Sequence, residues 1–149
     1  MPLTPPPRDS NGKVVPHNHP GIGPDDGVIR RVSPHHLVPD PKVAGGRRLS
    51  TKAFTASTEV NGGMSVDLQA LIEEAGLDAK AFVISPRWVG AVRFTAGALR
   101  GEGLQIGYDP RPDNPYHGEA WGTFTKALKH RLLGLAKWFV PLPIESSNA

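Results

Sequence analysis

A chain of 149 residues has the length of one domain, and 38% hydrophobic residues supply a modest core. Its 17 glycines and 16 prolines interrupt regular structure at many points. Because there is no cysteine, disulfides, cysteine-ligated zinc and a thiol nucleophile are excluded. No apolar run is long enough to span a bilayer and none follows Met1, so we expect a soluble cytoplasmic protein.

The net charge of +3 is unevenly distributed along the chain. Residues 1–60 and 123–149 are basic, whereas residues 61–122 are acidic. Such a pattern favours either the binding of an acidic partner or pairing between opposite charges within the fold. A net charge this small does not by itself indicate a nucleic-acid-binding protein.

Proline is concentrated at the start of the chain. Ten of the 16 prolines lie in the first 41 residues, and the opening stretch has no hydrophobic periodicity. Proline fixes φ and removes a backbone donor, so neither a helix nor a central strand is expected there. We predict a flexible arm over residues 1–26 that orders on a partner, a single domain over 27–141 and a frayed tail over 142–149.

Alternating apolar and polar residues between Gly/Pro turns predict short strands. The predicted strands are residues 28–32, 49–54, 89–95, 103–108 and 116–122. The loop between the last two contains Pro110, Pro112 and Pro115, which exclude regular structure there.

Two stretches with a helical hydrophobic period predict the main helices. Residues 65–76 have Ser65 at the N-cap position and Gly76 at the end of the run. Residues 123–140 form the longest predicted helix, which tolerates Gly134 in its interior. Because strands and helices do not alternate regularly, we expect a small α+β domain. It has a mainly antiparallel sheet, two principal helices and the proline-rich arm.

Two histidine pairs raise the question of a metal site. The sequence His17-Asn18-His19-Pro20 resembles the core of the JAMM/MPN metalloproteases. It lacks that family's upstream glutamate, however, and Val28 stands where its downstream serine is expected. His35 and His36 are neighbours, which point to opposite sides of an extended segment. The sequence therefore predicts no metal site.

The most informative stretch is the last predicted strand. Its alternation places His117, Glu119 and Trp121 on one face and small residues on the other. A carboxylate two residues from a histidine holds the ring and raises its pKa. The pair serves either as acid–base machinery or as a structural contact at the edge of the sheet, and we favour the structural role.

An enzymatic alternative starts from the same glutamate. An arginine on an early strand, hydroxyls on a second and the glutamate on a late one resemble the Arg/Ser-Thr-Ser/Glu arrangement of the ADP-ribosyltransferases. The residues concerned are Arg31, Ser50, Thr51, His117 and Glu119. The resemblance implies that the arginine and serine position NAD and that the glutamate orients the attacking group. The chain departs from that family at Lys52, where a second serine is expected, and at His117, where Glu or Gln is expected.

Basic residues and a tryptophan mark the last predicted helix as a contact surface. The candidate binding residues are Lys126, Lys129, Arg131, Lys137 and Trp138, joined by Asp113, Asn114 and Tyr116 near the proline-rich loop. Tryptophan and arginine carry a large share of binding energy at protein interfaces. Four positive charges over five turns would bind nucleic acid only weakly, and an ordinary covering helix is the simplest alternative.

Segments 30–36, 49–54, 64–66 and 109–117, in this order, resemble a group of small bacterial proteins. The resemblance spans residues 28–122 and leaves out the arm and the final helix. It implies a bacterial origin and a compact domain, and it assigns no activity to any residue.

The favoured function is that of a non-catalytic accessory protein that binds a protein partner and needs no cofactor. The arm, the loop at 109–115 and the final helix are its expected contact surfaces, because proline-rich segments lose little entropy on docking. The alternatives are an enzyme that uses NAD or another nucleotide and a weak nucleic-acid binder. The enzyme requires Arg31, a hydroxyl and Glu119 to converge on one cleft.

Overall fold

The structure is a computed structural model that describes residues 3–143. It contains a six-stranded sheet, a two-stranded sheet and four α-helices. The strands are β1 (Gly27–Val32), β2 (Leu37–Pro39), β3 (Arg47–Leu49), β4 (Met64–Leu68), β5 (Gly90–Thr95), β6 (Gln105–Tyr108), β7 (His117–Trp121) and β8 (Lys137–Val140). The helices are α1 (Gln69–Glu74), α2 (Ala79–Phe82), α3 (Ala96–Gly101) and α4 (Lys126–Leu135).

The strand order of the large sheet is β6-β7-β4-β1-β5-β8, and every neighbouring pair is antiparallel. The predicted α+β class with a mainly antiparallel sheet is therefore confirmed. The register sets Asp67 opposite His117 and Ser65 opposite Glu119. These four residues lie on the same face of the sheet, since residues directly opposite each other share a face.

The two faces of the sheet differ in polarity. One face builds the main core, in which Val28, Val66 and Phe94 belong to the same cluster as Leu128 and Leu132 of α4. The other face is apolar only over β1 and β5, where Ile29 and Ala91 pack with residues of α1 and α2. Over β4 and β7 this second face carries buried polar side chains. The polar half of the second face is where the candidate site lies.

The helix predicted over residues 65–76 is wrong in its first half. Residues 64–68 form β4, and α1 begins only at Gln69. Met64, Val66 and Leu68 are buried in the core cluster, as the alternation of a strand requires. Pairing with β7 satisfies the backbone of this segment, so tertiary contacts override its helical period.

The helix predicted over residues 123–140 is too long at both ends. It begins at Lys126, where the Thr125 hydroxyl caps it by accepting a hydrogen bond from the Leu128 amide. It ends at Leu135, and the chain then turns into β8, which pairs with β5. Glycine near the end of α4 and aromatic and β-branched residues in β8 favour this change.

The second predicted strand is also shorter than expected. Only Leu49 of residues 49–54 lies in a strand, β3, which pairs with β2. The chain then forms a single 3-10 turn over Thr51–Ala53. The Ser50 side chain caps this turn by accepting a hydrogen bond from the Lys52 amide.

The N-terminal arm lies along the outer edge of β6. The Ile106 amide donates to Asn18 Oδ1 at 2.8 Å, and the His19 amide donates to the Ile106 carbonyl at 3.0 Å. Arg100 ties the arm down further by donating to the Ile22 carbonyl at 2.8 Å. The flexibility predicted for the arm and the domain boundaries at residues 27 and 141 stay predictions. The predicted tail lies outside the described residues from residue 144 onward.

Among residues 3–143 no helix has the length and apolar character needed to cross a bilayer. The cytoplasmic location expected from the sequence stays a prediction.

Candidate functional site

A cleft opens where β1 and β4 separate. The two strands pair only through Val28 with Leu68 and Ile29 with Asp67, although both strands continue beyond these positions. The space beyond the last pair is a cleft of about 360 Å³. It is lined by four arginines (Arg30, Arg31, Arg87 and Arg111) together with Ser65, Asp67, Trp88, Asp113, Asn114 and His117.

The guanidinium of Arg30 lies between the separated strands. Its Nε donates to the Ala53 carbonyl at 2.8 Å, and its Nη1 donates to the Ser65 carbonyl at 2.9 Å. Ser65 belongs to β4, so a side chain satisfies a carbonyl that would otherwise pair with β1. Burial lowers the pKa of Arg30 to about 10, while Glu119 and Asp67 act in the opposite direction. The group is therefore a fixed cation at neutral pH.

Arg31 is held by a carboxylate on the neighbouring strand. Its Nε donates to Asp67 Oδ2 at 2.8 Å, and its Nη2 donates to Asp67 Oδ1 at 3.3 Å. The Asn114 side-chain amide donates to Asp67 Oδ1 at 2.7 Å. Because both oxygens of Asp67 are engaged, this carboxylate balances the charge of Arg31 and is not free to pair with Arg30 or Arg87.

Trp88 forms one wall of the cleft, and its ring is already in contact with Arg87 and His36. The guanidinium carbon of Arg87 lies 4.8 Å from the centre of a Trp88 ring. The ring of His36 stacks on Trp88 at 6.4 Å with an angle of 28° between the planes.

Within residues 3–143 neither Arg30 nor Arg87 forms an ion pair. The cleft thus has an excess of positive charge.

A second cluster lies next to the cleft, on the far side of Arg111. Asp109, His117 and Glu119 offer ligand atoms that all lie within 4.8 Å of one another. Arg111 Nη2 contacts Asp109 Oδ2 at 3.1 Å, Glu119 Oε1 at 3.4 Å and Glu59 Oε2 at 3.7 Å. His117 Nδ1 lies 2.9 Å from the Asp109 carbonyl. Asp109, Arg111 and Glu119 also line a cavity of about 230 Å³ beneath the arm.

The pKa values of the two carboxyl groups in this cluster are shifted in opposite directions. Burial raises the pKa of Glu119 to about 7, although His117 and Arg111 oppose the change. Burial also raises the pKa of Asp109, but hydrogen bonds and charge from His117 and Arg111 outweigh it, so the net shift is downward. For Arg111 burial lowers the pKa, and the three carboxylates outweigh it, so the net shift is upward.

The structure brings some of the predicted catalytic residues together and separates others. Arg31 and His117 line the same cleft, whereas Glu119 lies behind Arg111 in the second cavity. Ser50 and Thr51 line neither space. The Ser50 hydroxyl donates to the His36 carbonyl at 2.9 Å in addition to its cap, so it has a structural role in the turn.

The predicted binding residues are also divided. Asp113 and Asn114 line the cleft, and Tyr116 packs edge-to-face on Phe82 at 5.2 Å. Lys126, Lys129 and Arg131 lie on α4, where Arg131 pairs with Glu102. Lys137 and Trp138 lie on β8, and Trp138 is 43% exposed.

Sequence reasoning missed the residues that shape the cleft, namely Arg30, Ser65, Asp67, Trp88 and Arg111. Two adjacent arginines in an apolar strand were the available signal for Arg30, because neighbours on a strand reach both faces. The helical assignment of residues 65–76 concealed Asp67. Nothing in the loop at 109–115 indicated that Arg111 would bridge three carboxylates.

Comparison with known proteins gives no match: no family model, no curated protein and no solved structure is similar to this chain.

We predict that stability falls as the pH is lowered from about 6.5 to about 4, partly through His36. Burial lowers the pKa of His36 to about 4, and Arg30 and His35 add to this shift. Its Nδ1 accepts a hydrogen bond from the Ser33 amide, which a protonated ring cannot do. The unfolded chain takes up the proton first, so the folded state loses stability in this range.

Urea unfolding followed at several pH values measures this effect. The His36→Gln variant is expected to show a shallower loss of stability than the wild type between these pH values. The His35→Gln variant, altered at the exposed neighbour, is expected to retain most of the slope. Equal slopes for wild type and His36→Gln would contradict the assignment.

Proposed function

We propose that the protein is a binding domain whose arginine-lined cleft takes a small anionic ligand. The observation that carries this proposal is the convergence of four guanidinium groups on one concave space, where Arg30 and Arg87 have no carboxylate partner among the described residues. Its volume of about 360 Å³ is within the usual range for small-molecule sites. Arg30 is half-buried and has no carboxylate partner, so an anionic ligand would offset part of its desolvation cost.

Phosphate and polycarboxylate groups fit the donor set best. The planar fork of arginine matches both in a two-bond geometry, and charge-assisted hydrogen bonds are about twice as strong as neutral ones. Arg30 is pre-oriented by its two carbonyl partners, and Arg31 by Asp67. Fixed donors of this kind lose little conformational entropy on binding.

A nucleobase is less well provided for. The aromatic ring that lines the cleft, Trp88, is already in contact with Arg87 and His36. Stacking a base on it would require one of these partners to move. A compact anion is therefore favoured over the nucleotide expected for the enzymatic alternative, which also needs Ser50 and Thr51 close to Arg31.

The first test is anion binding measured by isothermal titration calorimetry with pyrophosphate and with citrate. The Arg87→Gln variant is expected to bind about tenfold more weakly than the wild type, because it loses one charge-assisted contact. Raising the salt concentration should weaken binding, since partly exposed charges are screened.

The matched control is Lys126→Gln, which removes the same charge from the exposed face of α4. It should bind both probes as the wild type does. Failure of both probes to bind, or an equal loss in the two variants, would contradict the proposal.

A second candidate function is the binding of a protein partner through β8. Within the described part of the chain, β8 is the last strand at its end of the sheet. Trp138 of β8 and Val43 are exposed, and they line a cavity together with Arg47 and Arg48. An open strand edge with an exposed tryptophan is a common docking feature. The predicted contact role of the arm and of the loop at 109–115 stays part of this proposal.

The test of this second function compares affinity capture by two variants. Trp138→Ala is expected to lose at least one protein that the wild type retains. Val60→Ala, which alters another exposed apolar side chain, should retain it. Identical captured proteins for Trp138→Ala and wild type would contradict a role for β8. Deleting residues 1–26 is a poorer test, because it also uncovers the edge of β6.

A further inference from the structure

The cluster beside the cleft has the composition of a metal site. We propose that Asp109, His117 and Glu119 bind a divalent transition-metal ion such as Zn²⁺. Their ligand atoms lie within 4.8 Å of one another, and their side chains are 15%, 11% and 3% exposed. Asp109 and Glu119 line the second cavity and His117 lines the cleft, and the proposal does not depend on anion binding in the cleft.

Glu119 supplies an observation independent of the cluster. Its Oε2 is buried and has no hydrogen-bond partner. Its Oε1 lies 3.4 Å from Arg111, longer than an ordinary charge-assisted hydrogen bond. A buried carboxylate is stable only when it is paired, protonated or bound to a metal. The unpartnered oxygen is therefore available as a ligand atom for a cation bound at this cluster.

The donor set indicates the class of metal. One imidazole and two carboxylates suit Zn²⁺ and Mn²⁺, whereas Mg²⁺ prefers oxygen ligands and keeps several waters. Three protein ligands leave a coordination position open. Asp109 and Glu119 line the cavity of about 230 Å³ beneath the arm, which provides room for water or a ligand at that position.

Two groups change when the ion binds. Arg111 supplies the positive charge of the cluster, so it competes with the metal for the carboxylates. Its side chain is 36% exposed, so it can move into solvent when the metal binds. His117 Nδ1 faces the Asp109 carbonyl at 2.9 Å. A metal takes an unprotonated nitrogen, so binding at Nδ1 requires the ring proton to be on Nε2.

The test is calorimetric titration of the purified full chain with ZnCl₂. The wild type should bind a single tight equivalent, and Glu119→Gln should bind it at least about tenfold more weakly. Because all six histidines remain in this variant, adventitious histidine binding is unchanged. Glu59→Gln removes a carboxylate that contacts Arg111 but lies outside the ligand set, so it should bind Zn²⁺ as the wild type does.

Arg111→Met separates metal binding from a purely structural network. Removing the competing cation should tighten Zn²⁺ binding, whereas a structural role for Arg111 predicts no gain. If Glu119→Gln does not fold, the imidazole NMR signals of wild-type His117 provide the readout and should shift with added Zn²⁺. Equal Zn²⁺ affinity in wild type and Glu119→Gln, or His117 signals that do not respond, would overturn the proposal.

Discussion

The site depends on Arg30, whose guanidinium replaces a backbone hydrogen bond between two strands. A carbonyl of β4 that faces β1 would normally accept from the β1 backbone, and the Arg30 side chain takes that place. The same group reaches the Ala53 carbonyl, so it links the sheet to the 3-10 turn that follows β3. These two hydrogen bonds offset part of the cost of desolvating the half-buried guanidinium. Arg30 thus links the separation of the strands to part of the positive charge of the cleft.

Arg111 connects the cleft to the carboxylate cluster. It lines both spaces and shares its charge among three carboxylates, with contacts of 3.1 to 3.7 Å. Its position therefore influences both proposed sites. When Arg111 contacts the carboxylates it balances their charge, and when it moves away the carboxylates are free to bind a metal ion. Anion binding and metal binding are expected to affect each other through this side chain, because each alters what it contacts.

Sequence reasoning recovered the fold better than the site. Alternation identified β1, β5, β6 and β7, and it placed His117 and Glu119 on one face, as the register confirms. Alternation did not identify the strand at residues 64–68. Leu68 fits a helical period and a strand period equally well, and only the pairing with β7 makes this segment a strand. The site was hidden because its members come from distant segments. Arg111 lies in a loop whose prolines indicate irregular backbone but give no direction for a side chain.

Arg30 keeps β1 and β4 apart, because its guanidinium takes the place of the β1 backbone at the Ser65 carbonyl. The most direct measurement is the nuclear Overhauser spectrum of the Arg30→Met variant. Continuing the present register would set residue 30 opposite Val66 as a close antiparallel pair. The account predicts a new contact between the Hα protons of these two residues in the variant and none in the wild type. A folded variant that lacks this contact would contradict it.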